Sequence, residues 1–148
     1  MAARLQTGVP MRIGVLAVAW LMAAPAGATD AFRVIVNAKV PGQAVPKQTL
    51  AHIFLGRVKR WGDGRPIAAV DLPSTSPVRA AFTKDVLDMT TLAVRTYWMQ
   101  LLQTGERPPL TRPSDQAVIA FVAGQGGAIG YVSSSAALPD TVRAVAVE

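Results

Sequence analysis

From residue 31 onward, short apolar runs with strand character alternate with capped, amphipathic helical stretches, and this alternation restricts the chain to layered α/β folds. "AFRVIVN" (31–37) is rich in branched residues and predicts a strand. "KVPGQAVP" (39–46) predicts a loop, and a short helix follows over 47–55, introduced by Pro46 and ended by Gly56. "WGDGRP" (61–66) is a turn and "IAAVDL" (67–72) a buried strand. Ser76 is a fitting N-cap and Pro77 suits the first helical position, where a missing N–H costs nothing. The helix they open places Val78, Ala81, Phe82 and Val86 on one face.

A second helix, about 91–103, would bury Val94, Tyr97, Trp98 and Leu101 and stop at Thr104-Gly105. "ERPPLTRP" (106–113) excludes helix and central strand, because proline removes a donor from either ladder. Ser114 caps a further helix through Ala123, with Val118, Phe121 and Val122 inward. "AIGYV" (128–132) and "VRAVAV" (142–147) are the last strands. The expected product is a single α/β domain with a layered sheet and no repeat.

The first 28 residues have another character. Arg4 and Arg12 precede "IGVLAVAWLMAAP" (13–25), and "AGA" (26–28) supplies small residues before a cleavage point after Ala28. That is the pattern of a secretory signal peptide (1–28), and the apolar stretch falls short of the roughly 20 residues a membrane span needs. An uncleaved anchor is the alternative, and Met11 would serve equally as a start. The domain proper is then 29–148, exported to the periplasm. Of 15 Lys+Arg, 13 lie beyond the signal segment against 9 Asp+Glu, so its net charge is +4. This balance suits an acidic small partner without requiring nucleic acid. With no cysteine, disulfides and thiolate chemistry are excluded and the apolar core must hold the fold by itself.

Catalytic constellations are absent from the sequence. His52 is a single histidine beside Ile53 and Phe54, the setting of a packing residue, and offers neither a zinc set nor a base–nucleophile pair. Asp85 and Asp88 are i, i+3 on a helix face, the ordinary pattern of solvated charge. "GQGGAIG" (124–130) precedes a strand, whereas a dinucleotide loop follows one, and no G-x-S-x-G occurs. The expectation is a non-enzyme without cofactor or metal. Arg57, Lys59, Arg60 and Arg65 crowd Trp61, which could track phosphates beside a stacking ring. Cations just past a helix C-terminus and a tryptophan capping the core account for the same residues.

The candidate ligand site is "DLPSTSPVRAAF" (71–82). A helix start after a strand presents free N–H groups and positive dipole, with Ser74, Thr75 and Ser76 clustered beside it. Arg79 takes the third helical position, where a capping box would place Glu, and a bound anion would offset its unfavourable charge there. Against that, Pro77 removes one donor, and an exposed Arg79, or one paired with Asp71, is the plainer alternative. The tentative anion site is therefore Ser74, Thr75, Ser76 and Arg79.

Four blocks then carry a resemblance: "LAHIFLGRVKRWGDGRPI" (50–67), Phe82, "AVRTYWMQ" (93–100) and "GGAIGYVS" (126–133). Together they resemble the periplasmic phosphate-binding component of ABC uptake systems, and more closely its single-lobe, phosphate-binding-protein-like relatives. The resemblance implies a layered α/β/α sandwich, one lobe of a type II periplasmic-binding-protein fold, and phosphate or another small oxyanion as ligand. It makes Gly56 and Trp61 scaffold marks. The full-length family grips phosphate between two lobes with an arginine and a Ser-Gly-Thr turn. Aligned on Phe82, Ser76 stands at that serine, Pro77 and Val78 replace the Gly and Thr, and Leu72 replaces the arginine. Implied partners are an ABC permease or another periplasmic protein. The rival reading is an accessory protein that uses the lobe as scaffold and docks partners on Arg57–Trp61 or on 106–113. A homodimer that rebuilds a two-lobed cleft is a third alternative.

Overall fold

A computed structural model describes residues 31–148, and the expected signal segment lies outside them. The element order is β1 (Phe32–Asn37), β2 (Ala44–Val45), α1 (Lys47–Phe54), β3 (Ala68–Asp71), α2 (Pro77–Leu87), α3 (Thr91–Leu102), β4 (Leu110–Thr111), α4 (Asp115–Gly124), β5 (Ala128–Ser133) and β6 (Val142–Val147). The strands form one mixed sheet in the order β2-β6-β1-β5-β3-β4. β1 runs antiparallel to both β5 and β6, whereas β3 lies parallel to β5 and β4.

The pleat divides the core. Val34 pairs with Tyr131 and Val36 with Ile129 across the β1–β5 ladder, so these side chains share a face. On that face Phe82 of α2 stacks on Tyr131, and Phe54 of α1 meets both rings. The opposite face carries Ile35 and Gly130, with α4 close enough that Val118 touches the glycine position. Asn37, buried on that side, donates from Nδ2 to the carbonyls of Val122 (2.8 Å) and Ala123 (3.1 Å) and so ties β1 to the end of α4. Helices on both faces give the α/β/α sandwich. β5, buried at every position from Ala128 to Val132, reads as a continuous apolar run because both of its faces are covered.

The helix starts follow the sequence. Ser76 and Ser114 cap α2 and α4 by accepting from the amides of Arg79 (3.3 Å) and Ala117 (3.2 Å), with Pro77 first in α2. α1 ends at Leu55, and Gly56 takes φ +74°, the left-handed turn that glycine makes without strain. α3 packs over that end: Tyr97 Oη donates to the Leu55 carbonyl at 2.7 Å, and a Cβ on Gly56 would lie 2.8 Å from the Trp98 ring. Thr90, unassigned from sequence, caps α3. One short strand also departs from expectation, and a second takes the edge position that the prolines left open. Ala44–Val45, in the segment read as loop, pairs with β6, and Leu110–Thr111 forms the sheet edge beside β3. Among the helix residues read as inward, Val78, Ala81, Tyr97, Leu101 and Phe121 are half-buried, because each sits at the margin of its packed stripe.

In "GGAIGYV", Gly127 and Gly130 stand at close approaches that leave no room for a side chain. A Cβ on Gly127 would sit 2.0 Å from the Pro66 carbonyl oxygen, while the Gly127 carbonyl accepts from Trp61 Nε1 (2.9 Å) and the Ala68 amide (3.1 Å). The 60–67 turn is thereby fastened to β5. Gly127→Ala is expected to cost about 1–3 kcal/mol, since backbone must move to admit the methyl group; urea unfolding checks it, and a change within about 0.5 kcal/mol would contradict the packing described.

Candidate functional site

β3 ends at Asp71, which is buried, and the chain turns through Pro73 to Ser76 into α2. The Ser76 amide donates to the Pro73 carbonyl at 2.9 Å, closing the turn. One helical turn in, Arg79 folds back over the strand end. Its Nη1 donates to the Leu72 carbonyl at 2.8 Å, and its Nη2 lies 3.3 Å from Asp71 Oδ2. Asp71 Oδ1 accepts from the Leu72 amide (2.9 Å) and from the Tyr131 hydroxyl. Asp71, Arg79 and Tyr131 thus form one buried polar chain linking β3, α2 and β5.

Burial pushes the Asp71 carboxyl above its ordinary range, and the Arg79 guanidinium opposes that only in part. Burial, and then the Asp71 charge beside it, drives the Tyr131 hydroxyl far upward, so it stays a donor. Arg79 Nε is buried with no partner. A guanidinium offers five N–H donors, of which the Leu72 carbonyl engages one, while Asp71 lies within ion-pair distance.

Beside this chain opens a groove of about 430 Å³. Its wall from the β3–α2 turn contains Asp71, Ser74 and Arg79; its wall from α3 contains Thr91, Arg95 and Trp98. Of the four residues expected from sequence, Ser74 and Arg79 line the groove. Ser76 spends its hydroxyl oxygen on the cap, and Thr75 is exposed outside it. Arg79 is paired with Asp71, one of the plain arrangements open from sequence, and yet still lines the groove.

Sequence reasoning missed Arg95 and Tyr131. The available signal for Arg95 was its spacing, three residues after Leu92 and four before Met99. That puts one cation in an otherwise apolar stripe. Tyr131 read only as a strand residue, because its partner lies 60 positions away.

The cations around Trp61 serve the scaffold. Lys59 pairs with Glu106 at 2.7 Å, Arg60 Nη1 reaches the Gly64 carbonyl (2.9 Å), and Arg65 Nη1 reaches those of Lys39 and Gly126 (2.9 Å each). Arg57 sits 6.0 Å from the centre of the Tyr97 ring. These partners are loop carbonyls, an acid and a ring of α3, and none of the contacts given is to a carbonyl at the end of α1. Among the described residues no group of three His, Cys, Asp or Glu could hold a metal, and no helix there is long and apolar enough to cross a membrane.

Sandwich and sheet define the class: this is the fold of one lobe of the substrate-binding proteins of phosphate ABC transporters. No protein-family model matches the chain. Over 119 residues it is 29% identical to the phosphate-binding protein PstS of Bacillus subtilis (strain 168), covering 76% of this chain and 34% of that one. A crystal structure of a putative phosphate ABC transporter substrate-binding protein with bound phosphate, from Clostridium perfringens, superposes with a TM-score of 0.64 at 21% identity, over 80% of this chain and 45% of the other. An ABC-type phosphate transport receptor from Vibrio cholerae gives 0.62 at 19%, over 80% and 46%. The chain therefore spans less than half the length of each of these relatives. The resemblance read from the four sequence blocks is borne out, and so is the single-lobe α/β/α fold.

Proposed function

We propose that this chain is an exported, non-enzymatic solute-binding domain that holds phosphate or a similar small oxyanion in the groove beside Arg79. The observation that carries this reading is that two arginines, Arg79 and Arg95, line one groove together with Ser74. Asp71 and the Leu72 carbonyl hold the Arg79 side chain in place before any ligand arrives, so little side-chain entropy is lost on binding. Asp71 also lines the groove; its carboxylate favours an oxyanion that carries a proton, which phosphate does at neutral pH and sulfate does not. The names of the similar proteins, all phosphate binders or phosphate transport receptors, support the same ligand. A permease partner belongs to the same proposal.

Isothermal calorimetry of the protein at low ionic strength tests it. Saturable heat is expected with phosphate and much weaker heat with sulfate. A double variant, Asp71→Asn with Arg79→Gln, removes the cation without stranding the carboxylate. It should weaken phosphate by roughly tenfold to a hundredfold, the worth of one charge-assisted hydrogen bond. Folded protein that gives no heat with either anion would contradict the proposal and favour the accessory-scaffold reading.

A further inference from the structure

Resting on that oxyanion reading, we propose that the ligand of this groove is an organic phosphate, a phosphate monoester whose substituent is apolar. One wall of the groove is polar, from the β3–α2 turn. The other is a stripe on α3 in which Leu92, Met99 and Leu102 flank Arg95 at a spacing of three, four and three residues, a single helix face.

These three side chains are 70%, 58% and 50% exposed and are three of the five large exposed hydrophobics among the described residues. Such clustering marks a surface that something apolar covers. α3 already buries Val94 and Trp98 on its inner side, so the outer stripe adds nothing to the fold. Pro108 and Pro109 extend the apolar wall. At about 430 Å³ the groove falls in the size range of sites for organic ligands of several dozen atoms or fewer, lined mostly by apolar groups with a few placed polar ones. Inorganic phosphate would leave most of that wall wet. A monoester satisfies both walls: its phosphate meets Arg79, Arg95 and Ser74, and its substituent lies along Met99 and Leu102.

Calorimetry of the full chain with inorganic phosphate, phenyl phosphate and phenol at one pH and ionic strength tests the proposal. Phenyl phosphate is expected to bind about tenfold tighter than inorganic phosphate, from burying part of one aromatic ring, and phenol not measurably. Met99→Gln with Leu102→Gln, both exposed positions, should bring phenyl phosphate down to the level of inorganic phosphate in protein that circular dichroism shows to be folded. Equal affinity for the two phosphates would overturn the monoester while leaving the oxyanion site standing; no binding of either would overturn both. Phenol binding as tightly as phenyl phosphate would show that the guanidiniums do not anchor the ligand. A stable dimer in sedimentation, unmoved by phenyl phosphate and broken by the double variant, would give the stripe to a second copy of the chain and overturn the proposal.

Discussion

Phe82→Ala is expected to lower stability by about 3–5 kcal/mol, the range for truncating a buried aromatic. That is a large share of the roughly 5–15 kcal/mol that holds a domain of this size together. Phe82 is 1% exposed and lies at the centre of the aromatic cluster. Its ring stacks on Tyr131 with centroids 3.9 Å apart, and Phe54 and Phe32 meet it edge-on at 4.7 and 5.4 Å. Truncation would open a cavity bordered by three rings that cannot collapse together, since two belong to paired strands. Phe82→Leu keeps much of the volume and should cost clearly less. Urea unfolding of both variants is the check, and a loss below about 1 kcal/mol for the alanine variant would contradict the stacked arrangement. Because Tyr131 is also the donor to Asp71, the same substitution should loosen the groove.

Asp71→Ala should be almost as damaging, by about 3–5 kcal/mol, because it leaves a largely buried guanidinium without its counter-charge. The Asp71 and Arg79 side chains are 12% and 16% exposed, too little for water to take over either role. Adding Arg79→Met in the same chain removes the stranded cation and should restore a substantial part of the loss. The resulting double-mutant cycle would give a coupling within the range of about 0.5–3 kcal/mol found for contacting groups. Additive losses in that cycle would mean that the two residues do not act as a pair. An Asp71→Ala protein within about 0.5 kcal/mol of the parent would contradict the buried polar chain altogether.

Local chemistry made much of this fold legible. Ser76-Pro77 and Ser114 announced two helix starts, and the apolar run 128–132 announced the buried central strand. Each signal is complete within a few residues. What was not legible depends on distant pairing. Ala44–Val45 and Leu110–Thr111 are two residues each, too short for any periodicity. They are strands only because β6 and β3 offer them a ladder. Trp61 is tied into the fold through the Gly127 carbonyl, as its reading as a core cap expects, but the partners of the surrounding cations were not legible. Glu106, 47 positions from Lys59, cannot be found from spacing along a helix. For the candidate site, the turn and its arginine were visible, whereas the groove was not. It takes α3 and the loop before β4 to make its second wall, and Arg95 becomes a site residue only when that wall faces Arg79.

Binding of an oxyanion at the turn into α2 is open to an amide-resolved NMR titration of the protein with inorganic phosphate at low ionic strength. The expected result is a saturable shift of the backbone amides of Ser74, Thr75, Ser76, Val78 and Arg79, with Arg95 moving on the same isotherm. Shifts that are absent there, or that gather instead around Arg57–Trp61, would contradict it.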